Sequence, residues 1–407
     1  MSDVLERFLR YVQIDTQSQE DEESIPSTAK QFDLSRLLAK ELEQLGATDV
    51  KIDDHAYVYA TIPATTDKTD YVLGFIAHVD TAPVVSGKDV KPTVIKNYDG
   101  KDIRLGGGAV IKTDDYPCLK KYIGQDIVTS DGTTLLGADD KAGVAEIMAM
   151  AKYLTEHKEV KHGAIKIAFT PDEEVGRGAD MFDVEGFGAD FAFTVDGGEI
   201  GEIEYQNFNA ASAKVEVNGL SIHPGDAKGK MVNAAEIVCE LQSMLPATQK
   251  PQYTEGYEGF FHLVEISGDV SVAKCFYIIR DHDMAEFENK KTVMRNVCLN
   301  LNKKYGDGTV KLTLKDGYYN MEEKILPHLD KIELVKKAFE KNDVKPLVVP
   351  IRGGTDGARL SFLGLPCPNL CTGGANYHSP LEFIPVQSME KITQTLVTIA
   401  QMFAEKY

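Results

Sequence analysis

The chain has few cysteines, no long apolar run and no excess of positive charge. Its 407 residues contain six cysteines, Cys118, Cys239, Cys275, Cys298, Cys367 and Cys371. They are dispersed, which argues against a disulfide framework. Cys367 and Cys371 are the only close pair, and with Pro368 between them they match neither a Cys-x-x-Cys redox motif nor a zinc knuckle. Buried structural thiols and a reducing, cytoplasmic compartment are expected. No apolar stretch is long enough to span a bilayer, and residues 1–7 lack a signal-peptide pattern. The formal charge of -19 excludes nucleic acid as the expected partner, because phosphates would be repelled. Several catalytic motifs are missing too. There is no Gly-x-Ser-x-Gly elbow and no His-Glu-x-x-His. Gly225–Met231 is one residue too short for a phosphate loop, and Met231 stands where Ser or Thr is required.

What remains is an ordinary soluble composition, 43% hydrophobic and 26% charged. The length suggests two or three domains at roughly 150 residues each. Helical spacing of apolar residues predicts helices through Leu5–Val12 and Phe32–Leu45, the second ended by Gly46. Strands are predicted at Tyr57–Ile62 and Tyr71–Ala77, and a helix over Ala142–Leu154. Residues 84–134 read as short strands and loops. Strands alternating with helices predict a mostly parallel sheet covered on both faces.

The rhythm changes after about Asn207. A strand at Ala211–Val217, a helix at Asn233–Leu245, strands at His262–Ile266 and Ala273–Ile279, a helix at Asp283–Lys304 and a strand at Thr309–Leu314 give the order β-α-β-β-α-β. That is the split βαβ pattern of ferredoxin-like folds. The expectation is an α/β domain of residues 1–207 and 319–407 with an α+β domain of residues 208–318 inserted into it.

Chemistry-bearing residues gather where apolar runs stop. Tyr71–Ala77 leads into His78-Val79-Asp80, Leu135–Ala138 into Asp139-Asp140, Ile165–Thr170 into Asp172-Glu173-Glu174, and Phe191–Val195 into Asp196. Read as four strand endings, these residues meet at the carboxyl edge of one sheet. A Gly-rich segment after Leu370 brings His378. The candidate ligands are then His78, Asp139 or Asp140, Glu173 or Glu174, Asp196 and His378. Two imidazoles and three carboxylates are more than one zinc ion needs and enough for two sharing a bridging carboxylate. A hydroxide held between two cations, with a carboxylate beside it as general base, is the chemistry such a set offers. Asp80 is within reach of the second ring nitrogen of His78, where it would fix the tautomer.

His78-Val79-Asp80, Gly137-Ala138-Asp139-Asp140-Lys141-Ala142-Gly143, Asp172-Glu173-Glu174-Val175-Gly176 and Val195-Asp196-Gly197-Gly198 together resemble the M20 family of di-zinc peptidases. His223-Pro224-Gly225, Arg352-Gly353-Gly354-Thr355-Asp356-Gly357 and Asn376-Tyr377-His378 add to the likeness, which spans nearly the whole chain. The resemblance implies a zinc-dependent exopeptidase-like catalytic domain carrying a ferredoxin-like lid and dimerisation domain. It implies two zinc ions, for which cobalt or manganese could substitute. His78 and Asp196 would hold one ion, Glu174 and His378 the other, and Asp139 would bridge them. Glu173 would be the general base and acid, and Asp80 would orient His78. His223 would stabilise the oxyanion from the partner subunit of a homodimer, and Arg280, Asn296 and Arg352 are candidate substrate contacts. The implied activity is release of the N-terminal residue from tripeptides. Alternatives are another amidohydrolase of the family (a dipeptidase, carboxypeptidase or N-acyl amino acid deacylase) or a metal-dependent binding protein without turnover.

Overall fold

The computed structural model describes residues 2–407. The chain divides into two compact units. The first comprises the residues up to Tyr205, Glu323–Val349 and Thr355–Tyr407; the second comprises Gln206–Glu322 and Pro350–Gly354. The short segment Pro350–Gly354 belongs to the second unit because Ile351 N–H donates to the Gln206 carbonyl and the Arg352 side chain grips the turn at Thr254–Glu258.

The first unit is built on an eight-stranded sheet in the spatial order Thr48–Ile52, Val58–Ile62, Ile165–Thr170, Leu73–His78, Phe191–Val195, Asn369–Leu370, Glu202–Glu204 and Leu347–Val348. The four central strands, Ile165–Thr170 to Asn369–Leu370, run parallel, and antiparallel pairings flank them. Leu73–His78 and Phe191–Val195 are buried along their whole length. This explains their unbroken apolar sequence: each lies under cover on both faces. On one face Ile76, Ala168 and Ala192 share a core with Leu360 of helix Asp356–Phe362. On the other, Phe75 and Phe193 stack at 6.2 Å, and Phe193 meets Phe403 of helix Val386–Lys406 edge-on at 6.1 Å. Burying each such ring contributes about 1.5–3 kcal/mol.

Three of the four apolar runs end as strands at the sheet's carboxyl edge. The fourth does not. Residues 130–137 form no strand, and Asp139 lies in the first turn of helix Ala138–Glu156. The N–H groups of Leu136 and Gly137 go to a carboxylate, Glu382, rather than to a neighbouring strand.

Helix Ala138–Glu156 packs closely on Phe191–Val195 at Gly143. A Cβ there would lie 1.9 Å from the Val195 carbonyl oxygen and 2.5 Å from Asp140 Oδ1. Overpacking of this kind costs about 1–3 kcal/mol or more. Gly143→Ala is therefore expected to lower the urea midpoint of the protein by at least that equivalent. A midpoint equal to wild type would mean that the helix can lift off without cost.

In the second unit the strands Phe260–Gly268, Val272–Asp281, Asn209–Asn218 and Val310–Tyr318 form one antiparallel sheet in that spatial order. Helices Ala234–Met244 and Met284–Tyr305 cover one face, where Ala213, Val215 and Val217 pack with Ile237, Leu241, Met294 and Leu301. With the first and third strands in chain order at the centre, this is the ferredoxin-like arrangement. No helix among the described residues is long and apolar enough to cross a membrane. All six cysteines are free; four are buried, Cys118 is half-buried and Cys239 is exposed.

Candidate metal centre

His78 ends the central strand Leu73–His78 and is buried. Its Nδ1 lies 3.1 Å from the Asp80 carbonyl oxygen and 3.3 Å from Asp80 Oδ1. Both neighbours are acceptors, so Nδ1 carries a proton and Nε2 is the ring atom left to take a metal ion. Nε2 faces Asp139 Oδ1 at 3.0 Å and Asp196 Oδ1 at 3.6 Å. On the other side, His378 Nε2 lies 3.1 Å from Asp139 Oδ2 and 2.9 Å from Glu174 Oε2. The two oxygens of Asp139 thus point to two different halves, His78 with Asp196 and His378 with Glu174. Asp140, which spacing could not separate from Asp139, has another use. Its buried Oδ2 accepts the His78 backbone N–H at 3.1 Å.

The turn carrying Glu173 and Glu174 is fixed from below. Asp80 accepts the N–H groups of Glu173 at 3.0 Å and Glu174 at 3.2 Å, so one carboxylate orients both His78 and this turn. Asp172, at φ 57°, accepts from the Ser27 N–H and hydroxyl and from Gln31 Nε2. Glu173 presents an oxygen within 4.8 Å of donor atoms of His78 and Asp196.

So many carboxylates in one buried place require compensating positive charge. Burial, then Asp139, pushes Glu174 up to about 8 and also raises Asp196. Burial, then Asp196, pushes Glu173 well above the usual carboxylate range. Hydrogen bonds to Asp139 and Glu174 lift His378 to about 11. Burial opposes ionisation of Asp139, but hydrogen bonds from His378 and His78 hold it low. Glu174 Oε1 is buried without a hydrogen-bond partner. An imidazole and carboxylate set this crowded, with an orphaned oxygen, suits divalent cations, which exchange for the protons otherwise held there.

Several supporting residues carry no mark in the sequence. Asp356 is buried, accepts the Thr170 hydroxyl at 2.9 Å, and is pushed up to about 7 by burial. Asn369 accepts the Thr194 hydroxyl and donates to the Asp196 carbonyl and to Glu204, each at 2.7 Å, which fixes the backbone of Asp196. No spacing rule marks these residues, since each contact joins distant segments. Burial pushes Glu204 up to about 8. A carboxyl whose folded pKa is raised contributes stability that is fully present below its unfolded value and lost as pH rises through the folded one. The metal-free protein is therefore expected to lose stability between about pH 5 and 8. Glu204→Gln should flatten that fall in urea titrations, and an unchanged slope would show that Glu204 does not carry it.

The four predicted substrate residues lie in the second unit. His223 is exposed, and its Nδ1 accepts from the Gly225 N–H at 3.2 Å, which leaves Nε2–H free to donate. Arg280 donates to the carbonyls of Ala211 and Ile279 and lies over Tyr318. Arg352 spends four hydrogen bonds on Thr254, Gly256 and Glu258 and lies over Phe208 and Phe260. Arg280 pairs in register with Phe260 across the sheet. Asn296 is exposed on helix Met284–Tyr305, whose other face carries Met294, Val297 and Cys298 into the core.

A parallel sheet whose carboxyl edge gathers two imidazoles around a shared carboxylate defines a metal-dependent hydrolase. The chain belongs to the peptidase family M20/M25/M40, whose model matches residues 132–402. It is 56% identical over 409 residues to Peptidase T of Alkaliphilus oremlandii, covering 100% of both chains. Among solved structures it is similar to the aminopeptidase PepT from Bacillus cereus, at 26% identity and a TM-score of 0.78, covering 99% of this chain and 98% of that one. A tripeptidase from Staphylococcus aureus shares the fold, with a TM-score of 0.79 at 22% identity over 99% of this chain and 98% of that one.

Proposed function

We propose that the protein is a dinuclear zinc aminopeptidase that releases the N-terminal residue from tripeptides. The observation that carries this reading is Asp139, whose two oxygens divide between two half-sites. Full-length likeness to Peptidase T supports the substrate class. His78 and Asp196 would hold one ion, Glu174 and His378 the other, and Asp139 both. When bound, two zinc ions acidify the attacking water and polarise the scissile carbonyl.

Glu173 then accepts the proton of the attacking water and returns it to the leaving amine. A carboxylate that takes and then returns one proton needs more affinity for it than an ordinary glutamate has, and burial, then Asp196, raises that of Glu173. Asp80 holds His78 in the ligating tautomer and fixes the backbone that aims Glu173. The second unit would serve as lid and dimerisation domain, with the free Nε2–H of His223 offered to the oxyanion of a neighbouring copy in a homodimer. Arg280 would hold the substrate carboxylate; Arg352, committed to the Thr254–Glu258 turn, would act by positioning that turn. The enzyme would work in the cytoplasm.

Product analysis of the zinc-loaded protein tests the proposal, using a free tripeptide, its N-acetylated form and the matching dipeptide. Release of the first residue from the free tripeptide alone is expected. Cleavage of the acetylated peptide or the dipeptide instead would move the protein elsewhere in the family. No cleavage with both metals bound would make it a binding protein.

A further inference from the structure

Glu382 is almost fully buried, at 1% exposure, and none of the chemistry above uses it. Its Oε2 accepts the N–H groups of Leu136 at 2.7 Å and Gly137 at 2.8 Å, and its Oε1 accepts the N–H of Asp139 at 3.0 Å. These three donors lie at the start of helix Ala138–Glu156, where the N-cap residue Gly137, at φ 82°, supplies no capping side chain. Successive N–H groups converging on an anion at a helix start form a nest. Here the anion belongs to the protein.

Glu382 also stands four residues after His378. The loop between them is closed at its base by two hydrogen bonds between Ala375 and Phe383, at 2.9 and 3.0 Å. Within it Asn376 Nδ2 donates to the Leu381 carbonyl, and Glu382 N–H donates to that of Ser379. One carboxylate therefore ties the base of the His378 loop to the backbone of Asp139. His78 and Asp196 are held differently. His78 ends a central strand and is gripped by Asp80, and Asp196 follows a central strand and is gripped through Asn369. Neither hold passes through Glu382.

We infer that Glu382 is a positioning residue that locks the Asp139 turn to the His378 loop and thereby sets the cation affinity of the Glu174–His378 half of the centre. The inference rests on the dinuclear reading above. Glu382→Gln is nearly isosteric, but it offers a single carbonyl oxygen and turns an NH2 towards at least one of the three donors. Its penalty should fall more heavily on the half that depends on the His378 loop as well as on Asp139.

The test is chelator-competed titration of zinc into metal-free wild type and Glu382→Gln, with melting curves of both metal-free proteins. Wild type should take up two equivalents. The variant should lose about 10–100-fold at one site and distinctly less at the other. Unchanged affinity at both sites, or equal loss at both in a folded variant, would overturn the inference and leave the dinuclear reading intact. Uptake of a single equivalent by wild type would defeat the dinuclear reading itself. Should Glu382→Gln fail to fold, hydrogen exchange of metal-free wild type decides. Amides of residues 134–139 should exchange as slowly as those of the helix that follows, and exchange within seconds would refute the lock.

Discussion

Glu173→Gln is expected to lower kcat/KM for a tripeptide by about 10²–10⁴-fold, the usual contribution of a positioned general base. Both metal ions should stay bound. The substitution keeps the shape of the side chain and removes its ability to take a proton. The backbone N–H of residue 173 still reaches Asp80, so the turn should not move. The acid limb of the kcat/KM profile supplies a second readout. A base must be deprotonated to act, so wild-type activity should rise with pH through the raised pKa of Glu173. The variant should lose that limb. Glu173 also lies within ligating reach of His78 and Asp196. If the variant loses one equivalent of metal, Glu173 is a ligand and the base must be sought elsewhere.

Asp139→Ala should have the larger effect on metal content. Two imidazoles point their Nε2 atoms at the two oxygens of this one side chain. Removing it takes a ligand from each half-site at once. Metal analysis of the dialysed variant should show loss of at least one ion, and activity should fall by at least about 10³-fold, the rate equivalent of several kcal/mol of lost electrostatic stabilisation. Asp140→Asn is the matched control. Asp140 acts on the His78 backbone, and an asparagine oxygen can still accept that N–H. It should keep both ions. Metal loss in the Asp140 variant and retention in the Asp139 variant would reverse the assignment.

Much of this arrangement was legible because buried parallel strands demand continuous apolar sequence. The runs before His78, Glu173 and Asp196 could be read as strand ends for that reason alone. The alternation of Ala213, Val215 and Val217 with Lys214 and Glu216 likewise marked a sheet with one covered face. The run before Asp139 misled because Leu135 and Leu136 are buried without being a strand; Glu382, 243 residues beyond Asp139, takes the N–H groups a ladder would have used.

The sequence by itself determined the fold class and the two structural styles of the chain and marked the candidate metal-binding side chains, because periodicity and residue chemistry are local properties. It could not choose between Asp139 and Asp140, which share one composition and one turn. Only the tertiary structure separates the two, setting His78 and His378 against opposite oxygens of Asp139 and turning Asp140 to a backbone N–H. The hidden supports, Glu382, Asn369 and Asp356, were settled there as well. Each is a hydrogen bond between segments far apart in the chain, and only packing the sheet against its helices brings those segments together.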